Sequence, residues 1–241
     1  RSSEDYIYKH VLNVAILSAI IAGQMGFPVG RINLLVKSAI LHDIGALKLQ
    51  QLPDAEDLDD GTKEVVKKNT QETLDRYGDL DEEVLRLITQ MQELYTRESD
   101  AEIPAGLKES VNANILYVAD AYDRMTAMKS FEEPTSEVKA VRELLADEER
   151  YNKKIVNALI HGISILYPGV CVELSNGEKG LVITENEDNI FEPTVLDFRN
   201  NNLYDLSDPS VKQTIEIADV MKTMDNRIKL DKSLLEEYQA N

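Results

Sequence analysis

The chain has three histidines, His10, His42 and His161, and two of them stand where a metal could be held. In "AILHDIGALK", residues 39–48, His42 and Asp43 place an imidazole beside a carboxylate inside an apolar run. His10 lies where the first helical segment turns from polar to apolar, and Asp120 follows the apolar run of "ILYVADAYDRM". An unpaired carboxylate in so buried a setting is costly, so Asp120 needs a cation or several donors nearby. Two imidazoles and two carboxylates brought together make a mixed nitrogen and oxygen set, suited to a divalent transition ion with positions open to water. Such an ion lowers the pKa of bound water and polarises a phosphoryl oxygen. The competing expectation is a hydrogen-bonded core role for each residue. His-Asp adjacency does not decide between them, because successive helical residues diverge by about 100° around the axis.

The elements that must position these residues are helical up to about residue 166. "SSED" offers N-caps and early acids before "YIYKHVLNVAILSAIIAGQMG", and Gly26 and Pro28 stop that helix. "RINLLVKSAILHDIG" is apolar enough to be a buried helix. "LPDAEDLDDG" reads as an acidic loop, and two amphipathic helices follow in "TKEVVKKNTQETLDRYG" and "DEEVLRLITQMQELYTR". After the loop "ESDAEIPAGLKE", the segment "SVNANILYVADAYDRMTAMKSF" is another buried helix, and the stretch from Ser136 to Ile163 holds two short ones. At Tyr167-Pro168-Gly169 the period changes to alternation, and "VCVEL", "SNGEKG" and "LVITE" form a hairpin signal with Asn176-Gly177 at the turn. "PTVLDF" and "LYDL" add two short strands. The expected architecture is mainly α: a helical bundle over residues 1–166, a small β extension (SH3-like or hairpin-rich) over 167–225, and a tail over 226–241.

With 26 Lys and Arg against 44 Asp and Glu, the net charge is −18, which argues against extended DNA binding. A small anion is still accommodated if a metal and a few basic residues make the pocket locally positive. Cys171, the single cysteine, excludes an internal disulfide and fits a reducing, cytoplasmic setting. The apolar run Val11–Gly23 is interrupted by Asn13 and Ser18 and reads as too short to span a bilayer. The start at "RSSEDYIYKH" without methionine leads us to expect a fragment with sensory or receiver segments upstream.

The order His10, His42-Asp43 in "LHDIG", then Asp120 in "VADAYD" resembles the HD superfamily of metal-dependent phosphohydrolases. "YKHVLNVAIL", "LLVKSAILHDIGAL", "PAGLKE", "ILYVADAYDRMTAMKSF" and "YPGVCVELSNGEKGLVITENEDN" resemble its HD-GYP branch, the bacterial phosphodiesterases of cyclic di-GMP. The resemblance covers roughly residues 4–225. It implies that His10, His42, Asp43 and Asp120 are metal ligands, with Asp43 at the catalytic centre.

Departures from that pattern are as telling. The lysine expected after "HDIG" is Ala46, and Lys48 lies two residues beyond it. The later histidine matches Asn69-Thr70, and "TQMQELYTR" lacks the paired histidines. Gly-Tyr-Pro is replaced by Glu102-Ile103-Pro104, and the phosphate-contacting arginine corresponds to Lys129. His161 falls where the resemblance marks no ligand. The second-metal set is thus depleted while the four residues of the first persist. The implied cofactor is one divalent ion (Fe, Mn or Zn) or none, and Arg124 and Lys129 are the candidates for phosphate contact. Three functions follow: an impaired or inactive regulator that binds a nucleotide or a signalling protein, a single-metal phosphodiesterase on a cyclic dinucleotide or other phosphate ester, or a structural homodimerisation domain.

Overall fold

The structure is a computed structural model that describes residues 3–49, 59–96, 102–127 and 134–221. It divides into two compact units, one made of the described residues to 135 with 140–163, the other of 136–139 with the described residues from 164.

The first unit is helical. Its elements are α1 (Ser3–Gln24), α2 (Val29–Leu41), a 3-10 turn (Ile44–Lys48), α3 (Asp60–Tyr77), α4 (Glu82–Tyr95), the short α5 (Ala105–Lys108) and α6 (Val111–Thr126). α7 (Glu137–Ala146) and α8 (Lys153–Ile163) follow. α1 packs against α2, α6 and α8, while α4 packs against α2 and α6. α6 lies at the centre, with every residue from Ala113 to Asp123 buried. A helix apolar all round belongs in a core, and the two aspartates it carries inward must be matched there by cations or donors.

Two expectations are corrected. The second helix ends at Leu41 rather than running through "HDIG", and the chain tightens into the 3-10 turn there. The apolar part of α1 covers Tyr6–Gln24, nineteen residues, so by length and composition it can cross a bilayer, unlike the shorter run read from the sequence. Its buried Ile7, His10, Val14, Ile21 and Ala22 nevertheless make it a core helix of this unit. The loop before α6 also contains the one-turn α5.

The second unit is a five-stranded antiparallel sheet in the order β4-β3-β2-β1-β5: β1 (Cys171–Leu174), β2 (Lys179–Thr184), β3 (Thr194–Asp197), β4 (Leu203–Asp205) and β5 (Ile217–Val220). α9 (Pro209–Lys212) lies between β4 and β5. The β1–β2 hairpin turns at Gly177, whose φ of 81° suits glycine. β5 is a strand beyond those expected, paired with β1 in a register that shifts between Glu173 and Leu174. Its alternation was too brief to read from the sequence. The tail over 226–241 lies outside the described residues.

Candidate metal centre

Each of the four expected ligands is set by a different local cause. His10 projects from the buried face of α1. His42 caps the end of α2, and Asp43 sits at φ −108°, ψ 16°, the sparsely populated bridge between helix and strand where many active-site residues sit. That break in the helix is what turns two adjacent side chains toward one point. Asp120 comes from the middle of α6.

The structure brings all four together: one ligand atom from each of His10, His42, Asp43 and Asp120 lies within 4.8 Å of the others. All four residues are buried. Asp120 Oδ1 is 3.0 Å from His10 Nε2 and 3.3 Å from His42 Nε2. Asp43 Oδ2 is 3.7 Å from the same two nitrogens.

The other ring nitrogens identify what this cluster is fitted for. His42 Nδ1 is 2.6 Å from the Ala39 carbonyl, which can only accept, so Nδ1 donates. His10 Nδ1 is 2.7 Å from Asp123 Oδ2, and the Asp123 carboxylate also accepts from Asn13. With both Nδ1 atoms committed as donors, the two Nε2 lone pairs of neutral imidazoles point at carboxylate oxygens. Lone pairs facing lone pairs call for a positive charge between them, either a proton on a ring nitrogen or a metal ion. The donor set therefore fits a divalent ion, with Asp123 and the Ala39 carbonyl fixing tautomer and ring orientation.

The electrostatics show that a proton on His10 can supply that positive charge in competition with an ion. Burial, the largest influence on Asp120, favours its neutral form, yet Arg124 and the two imidazoles outweigh it and hold the pKa well below the usual carboxylate range. Asp43 is likewise lowered against burial, by His42, Arg124 and His10. Burial and Arg124 both pull His10 down, but its bonds to Asp120 and Asp123 prevail and raise it to about 9.

Arg124, one of the expected phosphate contacts, turns onto the cluster: Nε bonds Asp120 Oδ2 at 2.9 Å and Nη2 bonds Asp43 Oδ2 at 2.8 Å. Its guanidinium carbon lies 4.6 Å from the centre of the Tyr95 ring, and Tyr6 stacks on His10. Lys129, the other expected phosphate contact, lies outside the described residues. His161 is exposed on α8 and is not part of the cluster.

The surroundings of the turn are polar and closely fitted. Gln92 Nε2 donates to the His42 carbonyl at 2.9 Å, and Thr70 Oγ1 accepts from Gly45 N at 3.0 Å. Asn69 Nδ2 reaches the Gly45 carbonyl at 3.3 Å. A Cβ at Gly45 would stand 2.3 Å from the Val66 carbonyl, so only glycine lets α3 approach this closely. Ala46 packs with Ile7 and Val66 in an apolar cluster, and Lys48 Nζ lies 3.5 Å from the Asn69 carbonyl. Sequence reasoning missed Asp123 and Gln92. Asp123 was signalled by its place three residues after Asp120, on the same helical face. Gln92 carried no local signal, since only the packing of α4 against α2 and α6 brings it to His42.

Residues 7–125 match the family model of the HD domain. A cyclic di-GMP phosphodiesterase of Pseudomonas aeruginosa is 22% identical over 200 residues, 81% of this chain and 48% of the relative. The cyclic di-GMP phosphodiesterase PdeB of Borreliella burgdorferi is 24% identical over 225 residues, 88% of this chain and 58% of the relative. The chain thus spans about half the length of the curated relatives it matches. Together with the His, His-Asp and Asp cluster, these matches support an HD-GYP-like protein of the HD superfamily, with the HD-domain match lying within the helical unit.

Proposed function

We propose that this domain binds a cyclic dinucleotide or a related phosphate ester at a single-ion centre, and that its turnover as a cyclic di-GMP phosphodiesterase is impaired or absent. The observation that carries the reading is the cluster of His10, His42, Asp43 and Asp120 in a chain whose only other histidine is the exposed His161. Asn69 and Thr70, where the resemblance expects a further histidine ligand, are bonded to Gly45 instead. When bound, a divalent ion (Fe, Mn or Zn) supplies a lowered pKa for its water and polarisation of a phosphoryl oxygen. The chain's own part is to aim both Nε2 atoms, hold two ionised carboxylates against them, and exclude bulk water by burial. A two-ion site stabilises both attacking and leaving oxygens, and one ion serves only half of that need. The relatives' printed activity, the acidic surface and the unpaired Cys171 support a role in bacterial signalling in the cytoplasm.

The persistence of all four ligands favours a second reading, a slow single-ion phosphodiesterase. The two separate in one experiment: protein reloaded with Mn2+ or Fe2+ is incubated with cyclic di-GMP, with binding followed by calorimetry and products by chromatography. The expected result is binding with little or no linear product, abolished in the His42→Ala, Asp43→Ala variant. Multiple turnovers lost in that variant would establish the second reading. Neither binding nor turnover would overturn both.

A further inference from the structure

Resting on the single-ion reading, we infer that Arg124 is a built-in second cation of the centre: it weakens the hold on the metal ion and strengthens the hold on an anionic phosphate. Its guanidinium spans Asp43 and Asp120 with one nitrogen on each carboxylate, and its side chain is only 14% exposed. Asp120 divides its oxygens, Oδ1 facing the two imidazoles and Oδ2 receiving Arg124. Asp43 does not divide them, for its Oδ2 faces the imidazoles and also accepts from Arg124. The guanidinium therefore competes electrostatically for the same oxygen a metal ion would take.

The charge count gives the consequence. Counting Asp123, three carboxylates, neutral imidazoles and a divalent ion sum to −1, a poor cradle for a phosphodiester anion. Arg124 brings the sum to zero, which is the sign of change a further metal ion would bring. Its position is enforced, because it lies four residues after Asp120 on α6 and against the Tyr95 ring. Neither carboxylate bond uses its remaining terminal nitrogen, Nη1, which is the donor Arg124 would offer a phosphate oxygen.

The test compares wild type with Arg124→Gln and Arg124→Lys. Mn2+ affinity is read by electron paramagnetic resonance of the free ion, and affinity for inorganic phosphate by broadening of its 31P signal in the Mn2+-loaded protein. Arg124→Gln should bind Mn2+ about tenfold more tightly and phosphate about tenfold more weakly. A merely structural role would not move the two in opposite directions. Arg124→Lys loses the fork but keeps the charge, and because the competition is electrostatic it should stay within about threefold of wild type for Mn2+. It serves as the deciding variant if the glutamine protein does not fold: Mn2+ binding tightened tenfold in Arg124→Lys would overturn the inference. Wild type that binds Mn2+ while Arg124→Gln leaves both affinities unchanged, or lowers both, would overturn it alone. Wild type that takes up no Mn2+ would overturn the single-ion reading and this inference with it.

Discussion

Asp123 Oδ2 stands 2.7 Å from His10 Nδ1, and this contact decides which face His10 offers the centre. By taking the Nδ1 proton, Asp123 leaves Nε2 as the nitrogen facing Asp120. Replacing Asp123 with asparagine keeps the shape but weakens the acceptor and frees the ring to choose its tautomer. Asp123→Asn should lose about tenfold or more in Mn2+ affinity, measured by calorimetry, while the fold is retained.

The carbonyl of His42 ties the turn to two helices, accepting from Gln92 Nε2 at 2.9 Å and from Thr70 Oγ1 at 3.4 Å. Both side chains are buried, so apolar replacements leave buried partners unsatisfied. Gln92→Met and Thr70→Val should each destabilise the helical unit by about 1–3 kcal/mol in chemical denaturation. Because they share one acceptor, the double variant should cost less than the sum of the two.

The sheet unit makes a pH-dependent prediction. Asp197 Oδ2 is buried with no conventional donor, and the Asp197 pKa is raised, first by burial and then by the nearby Glu178 carboxyl. Oδ1 accepts from Arg199 N at 2.7 Å. A folded-state pKa above the unfolded one contributes stability in acid that is lost as pH rises through it. Asp197→Asn places a permanent donor toward Glu178. It should raise the unfolding temperature by a few degrees at pH 7, with the gain shrinking in acid, where Asp197 carries its own proton. Melting curves at pH 7 and pH 4 check this.

Much of this arrangement was legible in the chain because each ligand sits in a strongly patterned element. The apolar run before Asp120 marked a buried helix, and the isolated His-Asp pair after "AIL" marked a point of chemistry. The small sheet was foreshadowed by alternation and Asn176-Gly177, except for β5, whose four residues offer too short a pattern. The inward turn of Arg124 was less legible. Its spacing from Asp120 allowed contact on one helix, but its reach to Asp43 depends on how α6 meets the turn. Long-range polar partners such as Gln92 are set by helix packing, which no local pattern encodes.

The central claim is one metal ion per chain, held by His10, His42, Asp43 and Asp120. It is tested most directly by metal content of the reloaded, desalted protein, measured by inductively coupled plasma mass spectrometry beside the His42→Ala and Asp120→Asn variants. The account predicts close to one equivalent of Fe, Mn or Zn in wild type and almost none in either variant that remains folded. Wild type without metal after reloading, or variants that keep it, would contradict the account.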